Sequence, residues 1–193
     1  MRVFSGSMGS LFCFLLVIFS ALLLEVPLAS GEAKHQLKHD VTDAFKMFEA
    51  LPYGIAAFDV DNDGDLDCAM VVRQDLDENT KTATYMMVLP SVNGRKAENH
   101  TYHMSEGLTP DKPFFTMDDG ADGEQTVNFI YTNYRNCVVA AFPFKMRQSC
   151  GLWVTKDAIH NLPQECLDQF EDNCDMAVAV FDDETCKGVL DNI

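Results

Sequence analysis

Six cysteines lie between residues 68 and 186: Cys68, Cys137, Cys150, Cys166, Cys174 and Cys186. In an oxidising compartment an even set of this kind reads as three disulfides that staple a compact domain, which restricts the fold more than any hydropathy pattern. Residue order alone leaves the connectivity open. The start of the chain supplies the compartment. Arg2 precedes an apolar run from Leu11 to Leu24, Glu25 and Pro27 end it, and Ala29-Ser30-Gly31 offers small residues for cleavage before Glu32. The run is shorter than the about 20 residues needed to span a bilayer. Residues 1–31 are therefore expected to be a signal peptide, which removes Cys13, and residues 32–193 a single secreted, extracellular domain with no membrane association after cleavage. Asn99-His100-Thr101 is a glycosylation sequon, with Asn99 the expected acceptor.

The formal net charge of −16, from 30 acidic against 14 basic residues, excludes a nucleic-acid partner, because phosphate recognition needs a basic face. It equally disfavours anionic membranes.

Residues 40–51 carry apolar side chains at Val41, Ala44, Phe45, Phe48 and Leu51, a helical spacing with Thr42 or Asp43 as cap and Pro52 as stop. Beyond Pro52 come short runs rich in β-branched and aromatic residues: 53–60, 66–72, 82–89, 101–104, 113–117, 126–131, 137–144 and 152–155. Turn residues separate them, among them Asn62-Asp63-Gly64, Asn93-Gly94 and Asp118-Asp119-Gly120. Eight such strands predict a mainly β, antiparallel barrel or sandwich. Pro163 opens a second helix in which Cys166, Phe170 and Cys174 stack every four residues.

The last third carries a more specific pattern. Cys137-Val138-Val139 begins one strand and Cys150-Gly151-Leu152-Trp153-Val154 the next. Pro163-Gln164-Glu165-Cys166 opens the helix, Cys174 closes it, and Glu184-Thr185-Cys186-Lys187 follows near the end. This order and spacing resembles the tick salivary lipocalins, the family that includes histamine-binding proteins, and DAFKMFEALPY resembles their N-terminal helix. The resemblance implies an eight-stranded lipocalin-like barrel with a short N-terminal helix and a C-terminal helix. It implies the pairs Cys68 with Cys186 and Cys137 with Cys166, which leaves Cys150 and Cys174 for each other. It also implies a non-catalytic protein of tick saliva that sequesters a mediator of host inflammation or haemostasis.

By the same resemblance, amine-binding members carry an acid directly after the first of these strand cysteines and another directly before Leu-Trp. Here those places hold Val138 and Gly151. A buried ammonium needs such carboxylates, so histamine is demoted to an alternative and a small hydrophobic or amphipathic ligand is favoured, of fatty acid, eicosanoid or sterol type. Strand alternation places Val138, Ala140 and Phe142 on one face with Gly151 and Trp153 on the matching face of the next strand. These five are the candidate ligand-binding residues, Trp153 equally as a core residue. A different class is a loop-mediated inhibitor of a host protein, with a lumen filled by Trp153, Phe129, Tyr131 and Phe142. The expected working form is a monomer, without cofactor.

One loop stands apart. Residues 59–67 place aspartates at Asp59, Asp61, Asp63, Asp65 and Asp67 around Gly64, a ligand pattern of the calcium type. Met70 stands where a helix-loop-helix calcium site has Glu, and a polar hairpin turn is the plainer reading. If calcium binds, Asp59, Asp61, Asp63 and Asp67 are the side-chain ligands expected. Enzyme motifs are absent: no G-x-S-x-G elbow, no H-E-x-x-H helix, no P-loop and no dinucleotide fingerprint. Met86, Met87, Met104 and Met117 read as gap-filling core side chains or as an adaptable ligand surface.

Overall fold

The computed structural model describes residues 37–190 except 119, 121 and 176, and for 189 and 190 only the backbone. The expected signal peptide lies outside the described residues. In chain order come helix α1 (Ala44–Ala50) and strands β1 (Tyr53–Asp59), β2 (Met70–Asp77), β3 (Thr82–Leu89), β4 (Glu98–Ser105) and β5 (Phe114–Met117). Then follow β6 (Gln125–Thr126), β7 (Asn128–Thr132), β8 (Cys137–Phe144), β9 (Arg147–Val154), helix α2 (Gln164–Asn173), β10 (Val178–Ala179) and a short turn of helix, α3 (Lys187–Leu190).

Strands β1 to β9 form one antiparallel sheet in the order β6-β5-β4-β3-β2-β1-β9-β8-β7, and β10 adds to β1. The two ends of that order are neighbours in sequence. Thr126 pairs with Phe114 of β5, and two residues on Asn128 pairs with Ala141 of β8. The chain bends at buried Val127, so residues 125–132 act as one strand that changes partner and brings the sheet to a nearly closed barrel. Counted this way the barrel has the eight strands expected. Three strands differ from expectation by three or more residues at an end. Residues 66–68 form a turn, with Cys68 at φ 55°, and β2 starts at Met70 and runs on through Asp75 and Asp77, whose side chains face away from the core. β4 is longer at both ends than residues 101–104, and β9 begins five residues before Leu152.

Burial follows the two periodicities. β3 alternates, burying Ala83, Tyr85, Met87 and Leu89 against the lumen. β1 buries both faces. Ala56 faces the barrel core, while Ile55 and Ala57 lie under α2 with Val139, Leu152 and Val154. An antiparallel strand with cover on both sides reads as continuous apolar sequence. Helix α2 brings Cys166, Phe170 and Cys174 to that outer face. Phe170 stacks on Phe58 at 5.9 Å, and disulfides Cys137–Cys166 and Cys150–Cys174 fix the helix to β8 and β9. The third disulfide, Cys68–Cys186, ties the β1–β2 connection to the C-terminal segment. These are the pairs that the resemblance implies. Each loop closure contributes about 2–4 kcal/mol, largely through the unfolded chain.

Helix α1 lies across one end of the barrel. Asp43 caps it by accepting from the Lys46 N–H at 3.1 Å, and the Ala44 N–H reaches Pro110 in the β4–β5 connection at 2.9 Å. At its far end the unpaired carbonyls are taken up from the sheet. Arg73 donates to Phe48 and Glu49, and the Tyr85 hydroxyl donates to Leu51 at 2.9 Å. Burial pushes the Tyr85 hydroxyl far above its ordinary pKa, so it remains a donor at any physiological pH.

Phe170→Ala should cost about 3–5 kcal/mol, since the ring is fully buried between helix and sheet. Urea denaturation with the disulfides intact reads it; an unchanged midpoint would show that the disulfides alone hold α2.

Candidate functional site

The barrel interior holds a cavity of about 100 Å³. Its floor is α1, through Met47, Phe48 and Leu51. Its walls are Val71, Tyr85 and Met87 from β2 and β3, then Tyr102, Met104 and Phe115 from β4 and β5. Val127 and Phe129 follow, then Val138, Ala140 and Phe142 of β8 and Trp153 and Val154 of β9. Tyr53, Gly54, Asn136 and Thr155 complete it near α1. No Asp, Glu, Lys, Arg or His is among the lining residues. The cavity is thus an uncharged site that rewards apolar surface and offers a few hydroxyl and amide groups.

Four of the five candidate residues meet here. Val138 pairs across the strands with Trp153, and Phe142 lies two positions beyond Ala140 on the same face. Trp153 is 4% exposed and its ring stands 6.1 Å from that of Phe142, so it is core and pocket wall at once. Gly151, the fifth, faces the same side but is not among the lining residues. A Cβ built there would come within 2.8 Å of the Trp153 indole Nε1. The glycine is the space into which the indole leans. Tyr131 is a correction. The register shifts between Phe129 and Tyr131, which leaves Phe129 in the lumen and packs Tyr131 against the α2-side core.

The sequence did not single out the α1 floor or the lining tyrosines Tyr53, Tyr85 and Tyr102 as a site. The alternation in β3 marks Tyr85 and Met87, but which neighbours they meet depends on register. Of the methionines, Met87 and Met104 line the cavity, Met117 packs against the barrel core, and Met86 faces outward.

Among the described residues, no acid takes the place of the missing carboxylates in the wall. Glu124 is exposed. Glu98 and His100 lie at the barrel end away from α1. They share a face of β4 with Tyr102, and the His100 ring meets Phe144 edge-on at 6.1 Å. The His100 Nε2 lies 3.5 Å from Glu98, which Lys145 also approaches at 3.8 Å.

That same barrel end carries the aspartate loop. Its negative charge is met by two arginines. Arg147, at the start of β9, donates to Asp61 and Asp65 at 2.9 Å each and also to Asp63. Arg95 donates to the carbonyls of Gly64 and Asp65 at 2.7 Å and of Asp67 at 2.6 Å. Asp59 is buried and accepts from Ser149 at 2.7 Å. Of the expected calcium ligands, Asp59 and Asp61 approach one another with Asp65, within 4.8 Å. Asp63 belongs to Arg147. Asp67 lies outside that group and accepts from Asn93 at 2.9 Å. The mutual repulsion that made the loop look metal-seeking is offset by a guanidinium of the chain itself, which a cation would have to displace.

Burial, followed by the neighbouring Asp63 carboxylate, pushes Asp65 up to about 6. Burial likewise raises Asp59, against the Ser149 hydrogen bond. For Asp63 burial works upward too, but the Asp65 N–H and Arg147 outweigh it and hold the carboxyl low.

Two outcomes follow. A folded-state pKa above the unfolded value means that folding favours the protonated group. The contribution of Asp65 is therefore complete below 3.8 and lost as pH rises through about 6. The melting temperature of Asp65→Asn relative to wild type should rise across that window; a pH-independent difference would refute the assignment. Gly151→Ala should displace the indole and shift the emission of Trp153, the chain's single tryptophan.

Sequence comparison with curated proteins returns no match. Solved structures similar to the chain include Japanin from Rhipicephalus appendiculatus bound to cholesterol, at 13% identity and TM-score 0.50, over 69% of this chain and 94% of that one. A second is AM182 in complex with serotonin, at 21% identity and TM-score 0.50, over 70% and 86%. A third is the major allergen Per a 4 from cockroaches, at 16% identity and TM-score 0.51, over 77% and 94%. At these identities the likeness concerns the fold. The profile of the family described as tick histamine binding protein matches residues 32–188, the span that holds the barrel, both longer helices and all three disulfides. The chain belongs to the tick histamine-binding protein family.

Proposed function

We propose that the protein is a secreted, non-catalytic carrier that sequesters a small hydrophobic or amphipathic mediator of its host in the barrel lumen. The observation that carries this reading is the wall: every described residue around the cavity is uncharged, and most are apolar. Burial of ligand surface then supplies the affinity, about 0.8 kcal/mol for each CH₂ removed from water. An amine would face no carboxylate within the lining, which disfavours histamine or serotonin in this cavity; a sterol, a fatty acid tail or an eicosanoid tail matches the lining better. A polar head group would find its partners among the polar lining residues Tyr53, Tyr85, Tyr102, Asn136 and Thr155. At about 100 Å³ the cavity is smaller than the about 150 Å³ that accommodates benzene in an engineered core, so a larger ligand must displace side chains. Met47, Met87 and Met104 are suited to that, being unbranched and adaptable.

The small lumen also favours a second reading, an inhibitor that binds a host protein through its loops. Met146 is fully exposed at the tip of the β8–β9 turn and Leu108 nearly so in the β4–β5 connection.

Native mass spectrometry on protein secreted from eukaryotic cells separates the two. A copurifying or added lipid retained by the wild type, and lost by at least about tenfold in affinity in Ala140→Phe, supports the carrier. Ala140→Phe fills the lumen opposite Gly151 without touching a loop. A chain that stays empty against a panel of sterols, fatty acids and eicosanoids overturns the carrier reading in favour of the loops.

A further inference from the structure

We propose that Asn99 carries an N-linked glycan whose first sugars lie over an apolar groove on the outer wall of the barrel. The groove, of about 620 Å³, is lined by Met70 and Val72 of β2, Met86 and Val88 of β3, Val92, and Asn99 itself. Two cross-strand rows build it. Met70 pairs with Val88, and Val88 with Asn99; Val72 pairs with Met86, and Met86 with Thr101. The glycan root and the sequon threonine therefore each end a row of two apolar side chains on one face of the sheet. His100, between them, points to the other face and meets Phe144.

This face is out of keeping with the rest of the chain. An outward sheet face is ordinarily polar, and here the chain has 30 acidic residues to draw on. Yet four consecutive inter-strand positions are Met or Val. The C-terminal segment covers one side, where Cys186 joins Cys68 and Thr185 and Gly188 form the edge of the groove. Val72, Met86 and Val88 stay partly exposed, and Asn99 is exposed on the opposite side. The C–H faces and acetamide methyl of an N-acetylglucosamine pair are apolar, while their hydroxyls sit at the ring edges. Such a group can cover Met and Val side chains and remain hydrated outside. An exposed apolar patch otherwise invites self-association. The proposal rests on the secretory routing assigned above, since only that route adds the sugar.

The test uses the full chain secreted from insect cells. Intact mass before and after native treatment with peptide N-glycosidase reports the sugar on Asn99. Melting temperature and light scattering report its effect, on the enzymatically trimmed wild type and on N99Q and T101V, which remove the sequon from either end. One glycan is expected, and its loss by any of the three routes should lower the melting temperature by about 2–4 °C and raise self-association. Adding M86T and V88T to N99Q should restore a monodisperse protein. Secreted protein with a bare Asn99 overturns the proposal, as does a glycan whose removal changes neither readout. A chain that is retained inside the cell with Asn99 bare overturns the secretory reading together with it.

Discussion

Closure of the sheet is the constraint on which the remaining structure depends. An antiparallel sheet left open here would expose the lumen-facing residues of β3, β4 and β8 to water and leave two strand edges unpaired. The chain avoids both by bending at Val127, so that one stretch pairs first with β5 and then with β8. Once the ring is nearly closed, the alternation along each strand acquires an inside and an outside. Tyr85, Met87, Tyr102, Phe142 and Trp153 face one another only for that reason. A register shift between Phe129 and Tyr131 sends Tyr131 to the other core.

Two further devices fix the ends. Near α1, sheet donors Arg73 and Tyr85 take up the helix carbonyls, so that a seven-residue helix, too short to be stable alone, becomes a firm floor for the cavity. On the outer wall, two disulfides and the stacking of Phe170 on Phe58 hold α2 against β1, β8 and β9. The strands between them are thus covered on both faces, and the cavity wall they form is backed by a second hydrophobic layer.

The opposite end is governed by charge. Five aspartates in nine residues would splay a loop apart, yet Arg147 gathers three of their carboxylates and Arg95 three of the loop's carbonyls. Both arginines come from segments distant in sequence. The apolar lumen and this polar rim are therefore separate systems, which is why the perturbed carboxylates lie outside the ligand cavity.

Much of this was legible in the sequence. The cysteine spacing, the Pro163 helix start and the alternation of residues 82–89 and 137–144 are local patterns, and local patterns report secondary structure and the face each residue takes. They gave the eight strand regions of the barrel, helices α1 and α2, and the apolar character of Val138, Ala140, Phe142 and Trp153, but not β10 or α3. What they could not give depends on contacts between distant segments. Gly151 looks like lining until the indole two residues on is seen to occupy its space. That the Asp67 carboxylate accepts from Asn93, and not from Arg147, is likewise a contact between distant segments. The aspartate loop looks unbalanced until Arg147, more than eighty residues away, supplies the counter-charge. The sequence by itself determined which side chains are apolar and in what rhythm. The tertiary structure decided which of them share a cavity and how large it is, because register and closure are properties of pairing between strands and not of any one strand.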